Sequence, residues 1–512
     1  MRTQRPRIFC ADFETTSYTG QTFTEVWCAA IVELGTEDVT IFNSIDGLFK
    51  LICSFEFNSI IYFHNIKFDG EFILHYLLTK TNFKQCFNQP DKTLAVGKFS
   101  ERKEMKSGEF RYSISNKGMW YSILIKNGRY FIELRDSLKL LPTSVKNIGE
   151  SFKTKHQKTS IEYTGYRKAG GEITEKEKEY IANDVLVVKE AMEIMYEQGH
   201  TGLTIGACCL DEYKNKSCPF YDMEKTLPNL YVLPEEESRK EFESVFGSKT
   251  FGDYIRKSYR GGWCYVVDEK KEKLFHNGTT ADVNSLYPSM MHSESGNKFP
   301  IGSPTFWTGD YIPDEAKDGN HYYFIRIKTE FQIKPKHLPC IQIKNSPYYP
   351  PNKWLRTSEI VSRIDGSYHR KRKTLDGDIV PTDVVLTLTM TDYELIKDHY
   401  YLKNCQILDG CYFRAVSGIF DEYIDKYREI KMNSKGAVRE IAKLFLNNLY
   451  GKMATSTDSS FKVAVLKDDN SLGYFTVQEH DKKPGYIPIG SAITSYARNF
   501  TIRAAQKNYH GI

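Results

Sequence analysis

Two acidic residues set into an apolar strand constrain this chain more than any other feature. The run Arg7-Ile8-Phe9-Cys10-Ala11-Asp12-Phe13-Glu14 reads as a β-strand, with Trp27-Cys28-Ala29-Ala30-Ile31-Val32 as its neighbour. Side chains two apart leave the same face of a strand, so Asp12 and Glu14 are able to converge on one ion. Carboxylates with no His or Cys nearby suit hard cations such as Mg2+ or Mn2+. An isolated Asp-x-Glu is more often a pair of solvated charges on an edge strand, so the pair gains meaning only from partners elsewhere in the chain.

Two further segments supply such partners. In Tyr62-Phe63-His64-Asn65-Ile66-Lys67-Phe68-Asp69-Gly70, an Asn and an Asp four apart follow an apolar strand and put a third polar group at a strand-to-helix junction. Residues 173 to 198 read as a helix, broken by Gly199-His200-Thr201-Gly202. Within it, Tyr180-Ile181-Ala182-Asn183-Asp184 places a Tyr and an Asp at i and i+4 on one face. Two-metal phosphodiester hydrolysis needs carboxylates holding ions about 3.5 to 4 Å apart and a group that orients the attacking water. Asp12, Glu14, Asp69 and Asp184 are the expected metal ligands, Tyr180 the orienting group, and Lys158 a cation that steadies the developing charge. Without its Asp partner, Tyr180 reads equally well as a core tyrosine with a satisfied hydroxyl.

The second half of the chain carries a different constellation. Ala281-Asp282-Val283-Asn284-Ser285-Leu286-Tyr287-Pro288-Ser289 has an apolar lead-in, an Asp expected at the end of a strand, and a Tyr five positions later, stopped by Pro288. Such an Asp is able to bind a metal that also holds nucleotide phosphates. Tyr287 is able to lie flat under the incoming sugar and leave no room for a 2′-hydroxyl. An Asp capping a turn beside a buried Tyr is the common alternative. Lys443-Leu444-Phe445-Leu446-Asn447-Asn448-Leu449-Tyr450-Gly451-Lys452 places Lys443, Asn447 and Tyr450 along one helical stripe. A long helical stretch is expected around residues 420 to 454, and in it Lys431 falls about three and a third turns before Lys443, on the same cationic face. Taken alone, such lysines are more often solvated surface charges.

The 512 residues exceed one hydrophobic core, so two to four domains are expected. Aromatics at 14% exclude a disordered chain, and Lys plus Arg (70) exceeds Asp plus Glu (65) by five, which weakly favours a polyanionic partner. The 11 cysteines run from Cys10 to Cys411, and Cys208-Cys209 with Cys218 has no zinc-ligand spacing. They read as reduced thiols of a cytoplasmic protein. The basic start reaches Asp12 and Glu14 before any apolar stretch of signal-peptide length, and no run approaches a membrane span, so no membrane partner is expected. An α/β domain is expected over residues 1–215. A polar connection with Pro219, Pro228 and Pro234 comes next over 216–262, leading to Tyr259-Arg260-Gly261-Gly262. Residues 263–512 then read as a further domain, with a Pro-rich and aromatic segment (335–351), a polar hairpin-like piece after the long helix, and a last helix over 491–508.

Together these pieces resemble the protein-primed family B DNA polymerases of bacteriophages, over essentially the whole chain. Asp12-Phe13-Glu14-Thr15, Tyr62 to Asp69 and Tyr180 to Asp184 look like that family's three exonuclease motifs, in order. Tyr259 to Gly262 is similar to its inter-domain Tyr-x-Gly-Gly element, and Asp282 to Pro288 and Lys443 to Gly451 to its first two polymerase motifs. The resemblance implies a ribonuclease-H-like α/β exonuclease domain followed by an α+β family B palm and fingers domain with insertions. It implies a DNA-directed DNA polymerase of viral replication with 3′–5′ proofreading and two-metal sites for Mg2+ or Mn2+. By the same resemblance, Thr15, His64, Asn65, Phe68, Ser137 and Leu138 grip a single-stranded 3′ end, with Phe68 stacking on a base as physics also allows. Tyr259, Gly261 and Gly262 pass the primer between two sites. Asp282 and Val283 bind metal, and Val283, Tyr287, Lys431, Lys443, Asn447 and Tyr450 bind nucleotide. The implied partners are DNA primer-template, single-stranded DNA, dNTPs and a priming terminal protein. Insertions near 336–416 and 455–490 are implied to contact the terminal protein and to enclose DNA.

The family's third polymerase motif, an Asp-x-Asp on a palm hairpin, is expected after the helix near Asn508, whereas the sequence stops at Ile512. Thr457-Asp458-Ser459 lacks a flanking apolar strand and is no substitute, while Gly511 reads as a helix C-cap and Ile512 as the first residue of a strand. The expectation is therefore a polymerase without its third motif and thumb, either a fragment or completed by a second chain, that does not polymerise by itself. Two other readings remain open here: a stand-alone metal-dependent 3′–5′ exonuclease with a non-polymerising DNA-binding C-terminal domain, and a non-catalytic DNA-binding relic. Template-dependent nucleotide binding and a nuclease assay separate them.

Overall fold

Alternation along the first strand sets the plan of the first half. In β1 (Arg7–Thr15), Phe9, Ala11 and Phe13 enter an apolar core. Cys10, Asp12 and Glu14 therefore leave the opposite face. The computed structural model describes residues 5–16, 18–88, 97–162, 165–232, 235–267, 270–341, 353–357, 371–373, 379–381, 385–456, 459–479 and 483–509. After β1 come β2 (Val26–Glu33), β3 (Thr40–Phe42), α1 (Ile45–Cys53), β4 (Ser59–Phe63), α2 (Ile66–Lys80) and β5 (Lys84–Gln85). A short ribbon, β6 (Phe87–Asn88) with β7 (Lys98–Phe99), precedes β8 (Glu109–Ile114), β9 (Trp120–Asn127), β10 (Tyr130–Asp136), α3 (Val145–Phe152) and α4 (Glu175–Glu197).

Eight of these strands form one mixed sheet in the order β3-β2-β1-β4-β10-β9-β8-β5. β1, β4 and β10 run parallel at its centre, and all five residues of β4 are buried, as a central parallel strand requires. Leu48, Phe49 and Ile52 of α1 and Ile73, Leu74 and Leu77 of α2 cover the Phe9–Ala11–Phe13 face. α4 packs on β1 and β2, close enough that Glu193 and Lys189 act electrostatically on Cys10. The start of α4 is fixed by a reciprocal capping box between Thr174 and Glu177.

The remaining elements are α5 (Ile205–Glu212), α6 (Met223–Thr226), α7 (Glu236–Phe246), α8 (Phe251–Arg256), α9 (Leu286–Met291), β11 (Phe299–Thr308), β12 (His321–Ile333), β13 (Leu355–Arg356), β14 (Lys371–Lys373) and β15 (Ile379–Pro381). They continue with β16 (Leu386–Thr389), α10 (Met390–His399), β17 (Tyr400–Val416), α11 (Asp421–Asn433), α12 (Ala437–Met453), β18 (Ser459–Leu466), β19 (Leu472–Glu479) and α13 (Ile487–Lys507). The chain divides into two units: Met1–Cys209 with Glu429–Phe445 and Thr457–Lys482, and Leu210–Arg428 with Leu446–Ser456 and Lys483–Ile512. The division does not follow the linear 1–215, 216–262, 263–512 scheme, because the β18–β19 hairpin packs into the first unit. Its Ala464 is 2% exposed within that unit's core, the Ala464 amide donates to the Tyr112 hydroxyl at 2.6 Å, and the Tyr474 hydroxyl donates to Glu71 at 2.6 Å. Residues 216–262, expected as a connection, contain α6, α7 and α8 of the second unit.

The second unit is built on an antiparallel sheet in the order β11-β17-β12-β13, with β16 also on β12. α13 is buried along most of its length and packs against α8, α9, α10 and β11. Two sequence expectations change here. The long helix over 420–454 is two helices, α11 and α12, separated at Gly436, whose φ of 64° is left-handed backbone. Lys431 therefore sits in the last turn of α11 and not on the helix that carries Lys443. Pro288 does not stop a segment either. It lies in the first turn of α9, where a missing amide hydrogen costs no helical bond. Thr457, Asp458, Gly511 and Ile512 lie outside the described residues, as do 342–352, 358–370, 374–378, 382–384 and 480–482 of the two proposed insertions.

Candidate active site

In the first unit, β1 and α4 bring three acids together. Asp12 and Glu14 of β1 and Asp184 of α4 each offer a carboxylate oxygen, and these atoms all lie within 4.8 Å of one another. Among the described residues this is the one group of three or more His, Cys, Asp or Glu side chains so placed. Asp69, in the first turn of α2, is 3% exposed and acts electrostatically on Asp12, as do Glu14 and Asp184. Burial, and then these neighbouring charges, push the Asp12 carboxyl well above its usual range. The Asp69 carboxyl is pushed up to about 8, chiefly by burial and against backbone hydrogen bonds from Asp69 itself and Phe13, with Glu14 adding repulsion.

Lys158 supplies the local cation. Its Nζ bonds the Asp184 carboxylate and donates to the Tyr180 hydroxyl at 3.3 Å, so the predicted i, i+4 pair on α4 is joined through one ammonium. Burial lowers the Lys158 pKa, but the Asp184 contact outweighs it and holds the ammonium above its ordinary value. One lysine does not balance four carboxylates. Asp69 Oδ1 and Asp184 Oδ1 are buried without a hydrogen-bond partner, a costly state that a cation would relieve. An all-oxygen donor set with orphaned carboxylate atoms fits a hard divalent cation.

The residues assigned to a single-stranded 3′ end gather beside α2. Asn65 caps the helix in left-handed backbone (φ 73°), and Phe68 presents a ring 49% exposed, edge-on to Phe72. His64 Nε2 donates to the Thr143 carbonyl at 2.7 Å, and its Nδ1 lies 3.0 Å from the Ser137 hydroxyl, which also donates to the Phe63 carbonyl at 3.1 Å. Burial keeps that imidazole neutral. Thr15 is half-buried at the end of β1, and Leu138 follows Ser137 in a short 3-10 turn.

What holds these residues together is Asp136, which sequence reasoning missed. At 1% exposed, its Oδ1 accepts from the amides of Asn65 (3.0 Å), Ile66 (3.4 Å) and Leu138 (3.0 Å), and its charge also acts on Asp69. The available signal was its position, an Asp closing the apolar strand Tyr130–Leu134 directly before Ser137. Asp136→Ala is expected to destabilise the protein by about 3 kcal/mol, since it strands buried amides that now meet a charged acceptor. Chemical denaturation of both proteins checks this.

The second unit presents a different arrangement. Tyr287 of α9 and Tyr450 of α12 stack with centroids 4.0 Å apart at 15°. Burial and then Tyr287 push the Tyr450 phenol up to about 12, and burial with Tyr287 also raises Tyr259. Asp282 and Val283 are exposed in a segment without strand, so the expected strand-end placement of Asp282 is not found. Ser285, with φ 52°, turns that segment into α9. Gly261 and Gly262 are exposed, with open space where a side chain would stand. Their backbone is anchored by Arg498, whose Nη1 donates to the carbonyls of Arg260 (2.6 Å) and Gly261 (3.1 Å) while Nη2 pairs with Asp392 at 2.5 Å. In the first unit, Lys443 pairs with Glu440 at 2.8 Å, one turn away on α12, and Asn447, one turn further along that helix, belongs to the second unit.

Comparison with known proteins identifies the family. A family model described as "DNA polymerase type B, organellar and viral" matches residues 54–171 and 164–512. The DNA polymerase of Bacillus phage Nf is 35% identical over 99% of this chain and 78% of its own length, and that of Bacillus phage phi29 is 33% identical over the same shares. The structure of phi29 DNA polymerase complexed with primer-template DNA aligns at a TM-score of 0.77, with 31% identity over 99% of this chain and 78% of that one. Phi29 DNA polymerase complexed with single-stranded DNA aligns at 0.76, with 32% identity over 98% and 78%. No helix among the described residues is long and apolar enough to cross a membrane. Matched along its length by these enzymes and by their family model, the chain belongs to the type B DNA polymerases, in the protein-primed phage branch.

Proposed function

We propose that this phage-type DNA polymerase carries a 3′–5′ proofreading exonuclease in its first unit and a nucleotide site in its second. The observation that carries the exonuclease assignment is the convergence of Asp12, Glu14 and Asp184 within 4.8 Å, beside buried Asp69. These four carboxylates would hold Mg2+ or Mn2+, which when bound would polarise the scissile phosphoryl group and offset its developing charge. Tyr180 orients the attacking water through its hydroxyl. Lys158, held beside it at 3.3 Å, steadies negative charge on the phosphate. Phe68 offers an open ring face for stacking the terminal base, while neutral His64, Asn65, Thr15, Ser137 and Leu138 hold the sugar-phosphate backbone of the 3′ end.

In the second unit, Asp282 and Val283 would by resemblance hold a metal ion, which would neutralise charge on the dNTP phosphates, and Tyr287, stacked on Tyr450, lies under the incoming sugar. Asn447 belongs to that nucleotide-binding set by resemblance, and Lys443 and Lys431, which lie in the first unit, are assigned to nucleotide binding by the same resemblance. Tyr259, Gly261 and Gly262 guide primer-template and single-stranded DNA, and a terminal protein meets the segment near 336–416. A stand-alone exonuclease with an unrelated second half is disfavoured by the family match across residues 164–512. The test is incubation with 5′-labelled single-stranded DNA and Mg2+. Progressive shortening from the 3′ end with release of mononucleotides is expected, abolished by EDTA and in Asp184→Asn. Intact DNA after incubation with the wild-type protein defeats the exonuclease assignment.

A further inference from the structure

The hairpin beyond the first two acids carries a feature with no part in the chemistry above. β1 and β2 pair so that Glu14 lies opposite Cys28 and Thr15 opposite Val26, which makes 16–25 the tip of a hairpin directly beyond the Asp12–Glu14 end. That tip is ordered by one amide. Gln21 Nε2 donates to the Thr16 carbonyl (3.2 Å) and the Thr24 hydroxyl (3.1 Å), and Gln21 Oε1 accepts from the Tyr18 amide (3.1 Å). Held this way, Tyr18 and Phe23 stand 45% and 59% exposed. Tyr166, 38% exposed, meets both edge-on, with centroids 5.9 and 5.7 Å away, and its hydroxyl is fixed on Glu25.

Three large rings clustered in water are an unusual expense at a hairpin tip, where turn-forming polar residues normally sit. They belong to the same end of the sheet as the acids. Arg167, next to Tyr166, pairs with Glu177 one turn before Tyr180 and, with Glu14 and Asp12, acts on Cys28. Edge-to-face packing leaves ring faces open, and stacking accepts any base because every base has a π-face.

We propose that Tyr18, Phe23 and Tyr166 form a stacking platform for single-stranded DNA. It holds bases upstream of the terminal nucleotide and extends the 3′-end site along the hairpin. The inference rests on the exonuclease reading for the direction of the strand, though not for the existence of the platform. Continuity with Thr15 and the acids favours nucleic acid over a protein as its occupant.

Fluorescence anisotropy with labelled oligo(dT), in chelator to prevent hydrolysis, tests the platform. The variant Tyr18→Ser/Phe23→Ser is expected to lose about 10- to 100-fold in affinity for a dodecanucleotide, the loss of one to two stacked bases. The advantage of the dodecanucleotide over a tetranucleotide shrinks accordingly. Tyr18→Phe/Phe23→Tyr, which keeps both rings, is expected to bind like wild type. A dodecanucleotide abasic everywhere but at its 3′-terminal nucleotide, which keeps the base offered to Phe68, is expected to bind the wild-type protein as weakly as intact DNA binds the serine variant, a result that lost folding cannot imitate. Equal binding of intact and abasic DNA overturns the platform, as does unchanged affinity of the serine variant, which then leaves the patch to a protein partner. Mononucleotide release from the tetranucleotide with Mg2+ is scored separately, so a failure of the exonuclease assignment is distinguishable from a failure of the platform.

Discussion

Asp12→Asn is expected to cut 3′–5′ nuclease activity by at least about 10³-fold, at the upper end of what loss of one stabilising group from a reaction centre costs, while raising the melting temperature of the metal-free protein. The two effects have one origin. Asp12 is desolvated and faces Asp69, Glu14 and Asp184, so its charge is useful only when a cation is shared among them. Stability in chelator follows from the direction of the shifts. Asp12 and Asp69 both have folded pKa values above the ordinary 3.8, with Asp69 at about 8. The folded state therefore holds protons that the unfolded state releases. That contribution is fully present below the ordinary carboxylate value and is lost as pH rises through the folded value, at about 1.4 kcal/mol per pH unit for each proton. Differential scanning calorimetry in EDTA is expected to show a melting temperature that falls between pH 4 and pH 8, more gently in Asp12→Asn, and that Mg2+ restores only in the wild type. A variant that melts below the wild type in EDTA at pH 8 contradicts the proposed mutual repulsion.

Arg498→Ala is expected to be the most destabilising single change in the second unit, by about 3 to 5 kcal/mol, the usual result of breaking a buried ion pair from one side. It leaves Asp392, 8% exposed, without its guanidinium and frees the carbonyls of Arg260 and Gly261. Arg498→Lys restores one charge but not the planar fork that serves two carbonyls and a carboxylate together, so only part of the loss is recovered. Removing Asp392 as well relieves the unpaired charge, and the double variant is expected to be less destabilised than the sum of its parts. Urea titration of the four proteins provides the cycle. Because the carbonyls belong to the Tyr259–Gly262 element, primer-template affinity measured below the unfolding transition is expected to fall in Arg498→Ala as well.

Most of the candidate site in the first unit is legible because its placement obeys local periodicity. Asp12 and Glu14 share a strand face, Tyr180 and Asp184 share a helix face, and Asn65 to Asp69 spans a strand-to-helix junction, all readable from spacing alone. Asp136 is not, since its worth lies in amides some seventy residues away, and nothing in the run Tyr130–Ser137 announces those partners. The two helices that read as one show a second limit. Phe420 to Ala454 keeps helical composition throughout, and a single left-handed glycine, Gly436, decides the break. Pro288 misleads because proline stops a helix from within but is tolerated in the first turn, and α9 begins two positions before it and runs on to Met291. The hairpin-like piece is indeed a hairpin, yet its docking into the first unit depends on Ala464 and Tyr474 meeting Tyr112 and Glu71 across several hundred residues.

That docking sets a timetable for biosynthesis. The sheet of the first unit is complete once Asp136 has been made, yet the Ala464 contribution to its core arrives only with β18. At elongation rates of about 5 to 20 residues per second, the ribosome needs roughly 13 to 52 s to travel from the end of α4 to that hairpin. Throughout this interval Tyr112, Trp120 and Phe99 await their covering strands, a nascent apolar surface open to aggregation.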